Sequence, residues 1–220
     1  MTEVLRPAAC WRTYKRHGSR DRDEVALTFD DGPGPHTAEI VDVLEAFDAK
    51  ATFYVVGDGL HGHEELLRRV VAAGHELGNH SMTHPRLAGR PLAAYIEIRR
   101  ANAALRQSAG LSPRFFRAPF GKVSGRLVMT ARLAGLTTVS WDVDSRDWSA
   151  PGVDAIREAV LGPVRAGSIV LMHDGRGPRP ETLAALPRIL EELRGRGYRL
   201  VTTSEILRGP TRLGQAPASP

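Results

Sequence analysis

Seven short runs rich in β-branched and aromatic residues punctuate this chain, and the stretches between them carry apolar residues at helical spacing. The runs lie at 25–29, 51–56, 75–78, 114–116, 137–141, 168–172 and 198–201. Between them, Ile40, Val43, Leu44 and Phe47 line one face of a helix, as do Leu183, Leu186, Ile189, Leu190 and Leu193. The longest spacer, 91–110, repeats the pattern with Leu92, Tyr95, Ile96, Ala103 and Leu105. Gly74, Gly110, Gly135, Gly167 and Gly197 each precede a run, where a glycine ends a helix. Strands alternating with helices imply a parallel sheet, because parallel neighbours need long crossover connections. The pattern therefore predicts an α/β fold, either a compact, incomplete β/α barrel or an open doubly wound sheet.

A chain of 220 residues buries roughly 70 % of its unfolded surface on folding and needs no metal or disulfide staple. Cys10 is the sole cysteine, which excludes an internal disulfide and a thiolate metal cage. No linker interrupts 25–207; residues 1–24 read as a lead-in segment packed on one end, and 208–220 as a flexible tail. Neither an apolar export signal nor a membrane-length apolar window is evident, so the expectation is a cytoplasmic protein without a membrane partner. The net charge of +5 rests on arginines scattered along the chain. The densest basic cluster, Arg12 to Arg22, is interrupted by Asp21, Asp23 and Glu24, and no aromatic residues are interleaved to stack bases. A nucleic-acid partner is not expected.

In parallel β/α architectures chemistry collects at the carboxyl ends of the strands. Five of the seven runs end in ionisable or metal-binding groups: Asp30-Asp31, His80 to His84, Arg117 to Gly121, Asp142 to Trp148, and His173-Asp174. His80 and His84, four apart, would face the same way on one helical turn, and two imidazoles plus a carboxylate are the ligand set of an open catalytic zinc site. Asp31 is the natural third ligand. Adjacent residues leaving a strand point in opposite directions, so one of Asp30 and Asp31 is expected to ligate while the other serves as general base. Arg117 would hold that base ionised and oriented, and the Phe120 N–H could face a developing oxyanion. His173 rises from an apolar run, and a carboxylate partner, Asp147 in preference to Asp174, would raise its pKa for general-acid work. Trp141 reads as core, and His36, His61, His63 and His75 read as loop or surface residues, with His36 close enough to Asp31 to face a substrate.

Taken together and in order, TFDDGP, HSMTH, RAPFG, DSRDW and LMHD resemble the five motifs of the polysaccharide deacetylases, the NodB-homology or carbohydrate esterase family 4 domain. The resemblance spans 25–207 and implies a distorted, incomplete (β/α)7-8 barrel that hydrolyses N-acetyl groups on sugars with a divalent metal. It implies Asp30 as base, Asp31, His80 and His84 as ligands, Arg117 as the residue that positions Asp30, and Asp147 as the partner of His173, the acid. It further implies that Phe120 contributes to the oxyanion hole and that Trp148 and Leu171 line a pocket for the acetyl methyl. Zinc is the expected ion, with cobalt, nickel or iron compatible with the same donors. An intracellular N-acetylated oligosaccharide, glycan or glycosylated metabolite is the expected substrate and partner.

Other chemistries have narrower support. Gly57 to Gly62 spells GxGxxG, a dinucleotide-binding signature, but it follows the second run rather than the first. A non-catalytic carbohydrate-binding module, or hydrolysis of another amide, an imide or an O-acetyl ester by the same metal machinery, are the further alternatives. No GxSxG or Walker loop occurs.

Overall fold

The structure is a computed structural model that describes residues 13–208, so Cys10 and all of the expected C-terminal tail beyond Arg208 lie outside the described residues. Among the described residues nine strands alternate with seven helices: β1 (Tyr14–Lys15), β2 (Glu24–Asp30), α1 (Thr37–Ala46), β3 (Ala51–Val55), α2 (Glu64–Ala72), β4 (Glu76–Asn79), α3 (Pro91–Ala109), β5 (Phe115–Phe116), α4 (Gly125–Leu133), β6 (Thr137–Val139), β7 (Val143–Asp144), α5 (Val153–Leu161), β8 (Ile169–His173), α6 (Pro180–Gly195), β9 (Arg199–Leu200) and α7 (Thr203–Ile206). All strand pairs are parallel, in the order β1-β6-β5-β4-β3-β2-β8-β7, with β9 joining the start of β2.

That order forces the sheet to curl. β6 lies near one edge and β7 forms the other, yet only Ser140, Trp141 and Asp142 separate them in sequence. A chain covers at most about 3.5 Å per residue, so the two edges approach within roughly 14 Å. Ser140 N–H donates to Lys15 O (2.8 Å) and Asp142 N–H to Ile169 O (3.2 Å), so this linker bridges the opening of an incomplete barrel. A parallel sheet of this kind, rather than an open doubly wound one, resolves the two architectures the sequence allows.

The central strand β2 is buried on both faces, and its residues alternate between two environments. Val25, Leu27 and Phe29 pack outward against Ile40, Val41 and Leu44 of α1, together with Val170 and Met172 of β8. Thr28 and Asp30 point the other way, into the barrel, where both meet the Arg117 guanidinium. The register aligns Asp30 with Tyr54 on one side and His173 on the other. Among the described residues no helix is long and apolar enough to cross a membrane.

All seven sequence-predicted runs are strands. Two further strands, β1 and β7, hold two residues each, too short for any periodicity. Their pairing depends on neighbours remote in sequence, which no local pattern records. Part of the expected lead-in, Tyr14–Lys15, is thus built into the sheet beside β6.

His75 departs from the surface position expected of it. It is 5 % exposed, its Nδ1 accepts from Ala51 N–H at 3.2 Å, and its ring meets Phe53 edge-on. Burial, reinforced by the Lys50 charge, pushes its pKa down from 6.5 to about 4. Between those values the unfolded chain binds a proton that the folded chain refuses, so stability falls as pH drops through this window. Urea unfolding at pH 7.5 and pH 5 should show the wild type losing about 2 kcal/mol more than His75→Gln over that interval.

Candidate metal centre and active site

The carboxyl ends of the strands surround a cavity of about 450 Å³. Asp30, Asp31, His80, His84, Phe120, Trp148, Leu171 and His173 all line it, so most of the residues singled out in the sequence converge on one space. Arg117 and Asp147 stand behind that wall, each bonded to one of its members. A larger groove, about 790 Å³, runs between α5 and α6, but it is lined mostly by arginine and glutamate, with Leu161 and two glycines, and by no imidazole.

Asp31, His80 and His84 offer one ligand atom each, all within 4.8 Å of one another. Asp31 Oδ1 lies 3.1 Å from His84 Nε2 and 3.5 Å from His80 Nε2, and it is buried without a hydrogen-bond partner. The Arg117 carbonyl accepts from His80 Nδ1 at 2.9 Å. That bond fixes the tautomer and leaves the Nε2 lone pair facing Asp31, the orientation a metal-binding imidazole needs. Burial alone would raise the Asp31 carboxyl, but the two imidazoles outweigh it and hold the group well below the usual carboxylate range. An orphaned carboxylate oxygen beside two free imidazole nitrogens fits an open divalent-cation site.

The local backbone differs from the expected one in two ways. Residues 80–84 do not form a helical turn. Ser81 and His84 adopt left-handed φ values of 71° and 59°, which fold the segment back so that the two rings stand 4.9 Å apart. Asn79 and Ser81 hold the fold: Asn79 Oδ1 accepts from Ser81 N–H, and Ser81 Oγ accepts from His84 N–H. Glu97 of α3 accepts from the N–H groups of Met82 and Thr83. Likewise Asp31, with φ 75°, leaves the alternation of β2 and turns its carboxylate back to the same mouth as Asp30. The two aspartates therefore do not diverge; both lie within 3.7 Å of His80 Nε2.

Asp30 is anchored from below. Arg117 is wholly buried, and its Nη1 donates to Asp30 Oδ1 and to Thr28 Oγ1, each at 2.7 Å. Its Nη2 reaches the Ser140 carbonyl, and the guanidinium carbon lies 4.0 Å from the centre of the Tyr54 ring. Across the cavity, Asp147 Oδ1 stands 2.7 Å from His173 Nδ1, while its Oδ2 accepts from His173 N–H and Thr182 Oγ1. Burial would lower the His173 pKa, but the Asp147 carboxylate overrides it and raises it above the ordinary imidazole value. Asp147 itself is held low by the same pairing despite its burial. Asp174, the less favoured partner, points elsewhere: it accepts from Thr37 Oγ1, and burial, with the charges of Asp30 and Asp31 adding to it, pushes its pKa up to about 7.

Other expectations meet mixed outcomes. Phe120 takes a left-handed φ of 59° within the turn Pro119–Gly121, and its half-exposed ring covers His84 at 4.5 Å. Trp141 is not purely core, since it packs on an apolar cluster and also lines the cavity. The His36 ring is turned to the protein rather than the cavity, its Nδ1 accepting from Arg179 N–H. The GxGxxG segment has its amides engaged: Gly57 and Asp58 N–H donate to Ser81 and Met82 carbonyls, and a Cβ on Gly57 would strike the Met82 sulfur. It supports the histidine loop. Asp144, from the DSRDW segment, also lines the cavity, and so do Arg176 and Arg179, which the sequence reading did not single out. Arginines in a glycine-rich loop after a strand were the available signal for the last two.

A parallel half-barrel whose strand ends bring a candidate cation site, an arginine-held carboxylate and an aspartate-held imidazole to one cavity defines an enzyme equipped for acid–base chemistry. Comparison with known proteins gives the family. The polysaccharide deacetylase profile matches residues 17–139, over half of the chain. A chitooligosaccharide deacetylase of Sinorhizobium fredii is 45% identical over 201 residues, covering 85% of this chain and 93% of the relative. A peptidoglycan-N-acetylglucosamine deacetylase of Bacillus cereus is 39% identical, covering 84% and 88%. The crystal structure of a peptidoglycan N-acetylglucosamine deacetylase bound to 4-naphthalen-1-yl-N-oxidanyl-benzamide superposes with a TM-score of 0.86 at 32% identity, covering 91% of this chain and 96% of that one. The chain belongs to the polysaccharide deacetylase family and is a hydrolase of non-peptide carbon–nitrogen bonds.

Truncating Arg117 would strand the buried Asp30 charge, and breaking a buried pair on one side costs about 3–5 kcal/mol. Arg117→Ala should therefore lower the unfolding free energy by that amount in urea titration, and a loss below 1 kcal/mol would mean that water already reaches the pair.

Proposed function

We propose that the protein removes the N-acetyl group from an N-acetylated glucosamine oligomer in a reaction that requires one divalent metal ion. The observation that carries the reading is the unpartnered Asp31 Oδ1 facing the Nε2 atoms of His80 and His84, in the same cavity as Asp30 and His173. The relatives support the substrate class, since those most similar are named for N-deacetylation of chitooligosaccharides and of peptidoglycan N-acetylglucosamine. The ligand of the related crystal structure supports the metal, because an N-oxidanyl amide is a hydroxamic acid, a chelating group. Zinc is the leading ion for one carboxylate and two imidazoles, with cobalt, nickel and iron able to take the same donors. Residues 25–207 constitute the catalytic domain in this reading.

Asp31, His80 and His84 would hold the ion, which supplies Lewis-acid activation of water and of the acetamide carbonyl when bound. Asp30 accepts the proton of the attacking water, aimed by the hydrogen bond from Arg117 Nη1. The Phe120 N–H donates to the oxyanion as negative charge develops. His173, protonated because Asp147 raises its pKa, passes its proton to the departing amine, and acetate leaves. Trp148 and Leu171 enclose the acetyl methyl and exclude bulk water.

Acetate release from N-acetylated chitotetraose should stop on chelation and return on metal add-back. Asp30→Asn should keep stoichiometric metal and lose about 10²–10⁴ in kcat, whereas His80→Ala should lose both; wild-type kcat in Asp30→Asn would overturn the base assignment. Asp147→Asn removes the charge that raises the His173 pKa, so the alkaline limb of the kcat profile should move to lower pH.

A further inference from the structure

Asp174 directly follows His173, is wholly buried and takes no part in proton transfer. Burial of a carboxyl is costly unless its contacts compensate, and here those contacts converge on the segment that carries Asp31. Oδ2 of Asp174 accepts from Thr37 Oγ1 at 2.6 Å, and its N–H donates to the Asp30 carbonyl at 3.1 Å. Its Oδ1 is buried with no hydrogen-bond partner among the described residues.

Asp31 leaves β2 at a left-handed φ of 75°, so the strand ladder no longer dictates where its carboxylate lies. On the β3 side the turn is tied by Asp31 N–H to the Tyr54 carbonyl and by Val56 N–H to the Gly32 carbonyl. On the β8 side Asp174 and Gly175 hold it. A Cβ on Gly32 would strike the Asp174 carboxylate, one on Gly34 the Asp174 carbonyl, and one on Gly175 the Asp31 carbonyl. Packing this close leaves the turn little freedom to slide past the loop after β8.

Thr37 links the two segments. Its hydroxyl donates to Asp174 Oδ2 and accepts from Gly34 N–H at 2.8 Å, while its own N–H donates to the Gly34 carbonyl at 3.1 Å. Thr37 is buried and begins α1, so the relay runs from a helix through one hydroxyl to both the turn and the loop after β8. With that hydroxyl removed, the Gly34 N–H and the Asp174 carboxyl each lose a partner, and the turn must shift to recover one.

We propose that Asp174, acting through Thr37, is a positioning residue that clamps the turn 31–34 and so sets the Asp31 carboxylate against the Nε2 atoms of His80 and His84. The clamp presupposes that Asp31, His80 and His84 hold the metal ion; Asp174 and Thr37 stand behind them and are not ligands.

Metal affinity of the folded protein is the readout, because Asp174 borders His173 and activity alone would mix two effects. Full-length protein stripped of metal is titrated with zinc against a competing chromophoric chelator. The wild type should bind one zinc ion. Thr37→Val, which keeps the shape of the side chain and removes the hydroxyl, should bind zinc about tenfold more weakly. Thr37→Ser restores the hydroxyl and should return the affinity to near the wild-type value. Thr130→Val deletes a hydroxyl bonded to the Arg126 carbonyl on α4, remote from the turn, and should leave the affinity unchanged. Circular dichroism checks the fold, and Thr37→Ala carries the same expectation if Thr37→Val does not fold. An unchanged affinity on loss of the Thr37 hydroxyl, or an equal loss in Thr130→Val, overturns the clamp while zinc binding by the wild type keeps the metal reading intact. Failure of the wild type to bind zinc removes that reading and the clamp with it.

Discussion

Arg117 and Asp30 form an ion pair at the centre of the barrel, and much of the remaining arrangement accommodates it. Removing both charges from water is costly unless every donor and lone pair finds a partner. Here the guanidinium spends its donors on Asp30, Thr28 and the carbonyls of Val139 and Ser140, and it lies on the ring of Tyr54. Those partners come from β2, β3, the end of β6 and the linker after it, so a single side chain ties the central strands to the segment that spans the barrel opening. The same residue orients His80 through its backbone carbonyl. One position thus governs both a carboxylate and an imidazole of the candidate site, which makes stability and chemistry hard to separate there.

Around this pair the rim is built from unfavourable backbone. Asp31, Ser81, His84, Phe120, Arg146 and Arg176 all hold positive φ without being glycine. Such residues persist only where surrounding contacts over-determine them. The contacts are visible: Asn79 and Ser81 brace the histidine loop, Glu97 receives two of its N–H groups, and Gly57 gives it an amide. These supports lie on β4, α3 and the turn after β3, elements with no direct part in the chemistry. Rigid elements beneath and strained loops above are a common solution for placing reactive groups closely.

Much of the fold and the site was legible in the chain. Apolar runs such as 25–29 and 168–172 mark buried parallel strands because burial on both faces demands continuous hydrophobicity. The reactive types follow those runs directly, which locates Asp30, Arg117 and His173 at strand ends. Where local rules failed, a remote partner was the cause. His75 is polar by composition but fills a core position against Phe53 and the Ala51 amide. β7 is too short to display a period and exists through its pairing with β8. The i, i+4 spacing of His80 and His84 suggests a helical turn, yet two left-handed residues achieve the same convergence.

By itself the sequence determined the kinds of groups available, the alternation of strand and helix, and the ends of strands at which chemistry would gather, because these follow from residue type and short-range spacing. Only the tertiary structure decided that Asp31 turns back beside Asp30, that left-handed residues bring His80 and His84 together, and that Arg176 reaches the cavity. Those outcomes depend on backbone reversals and on curling a sheet whose edges are formed by segments far apart in the chain. Spacing along a polymer does not encode direction in space once the backbone leaves a regular element, and every decisive side chain of this site sits at or just beyond such a departure.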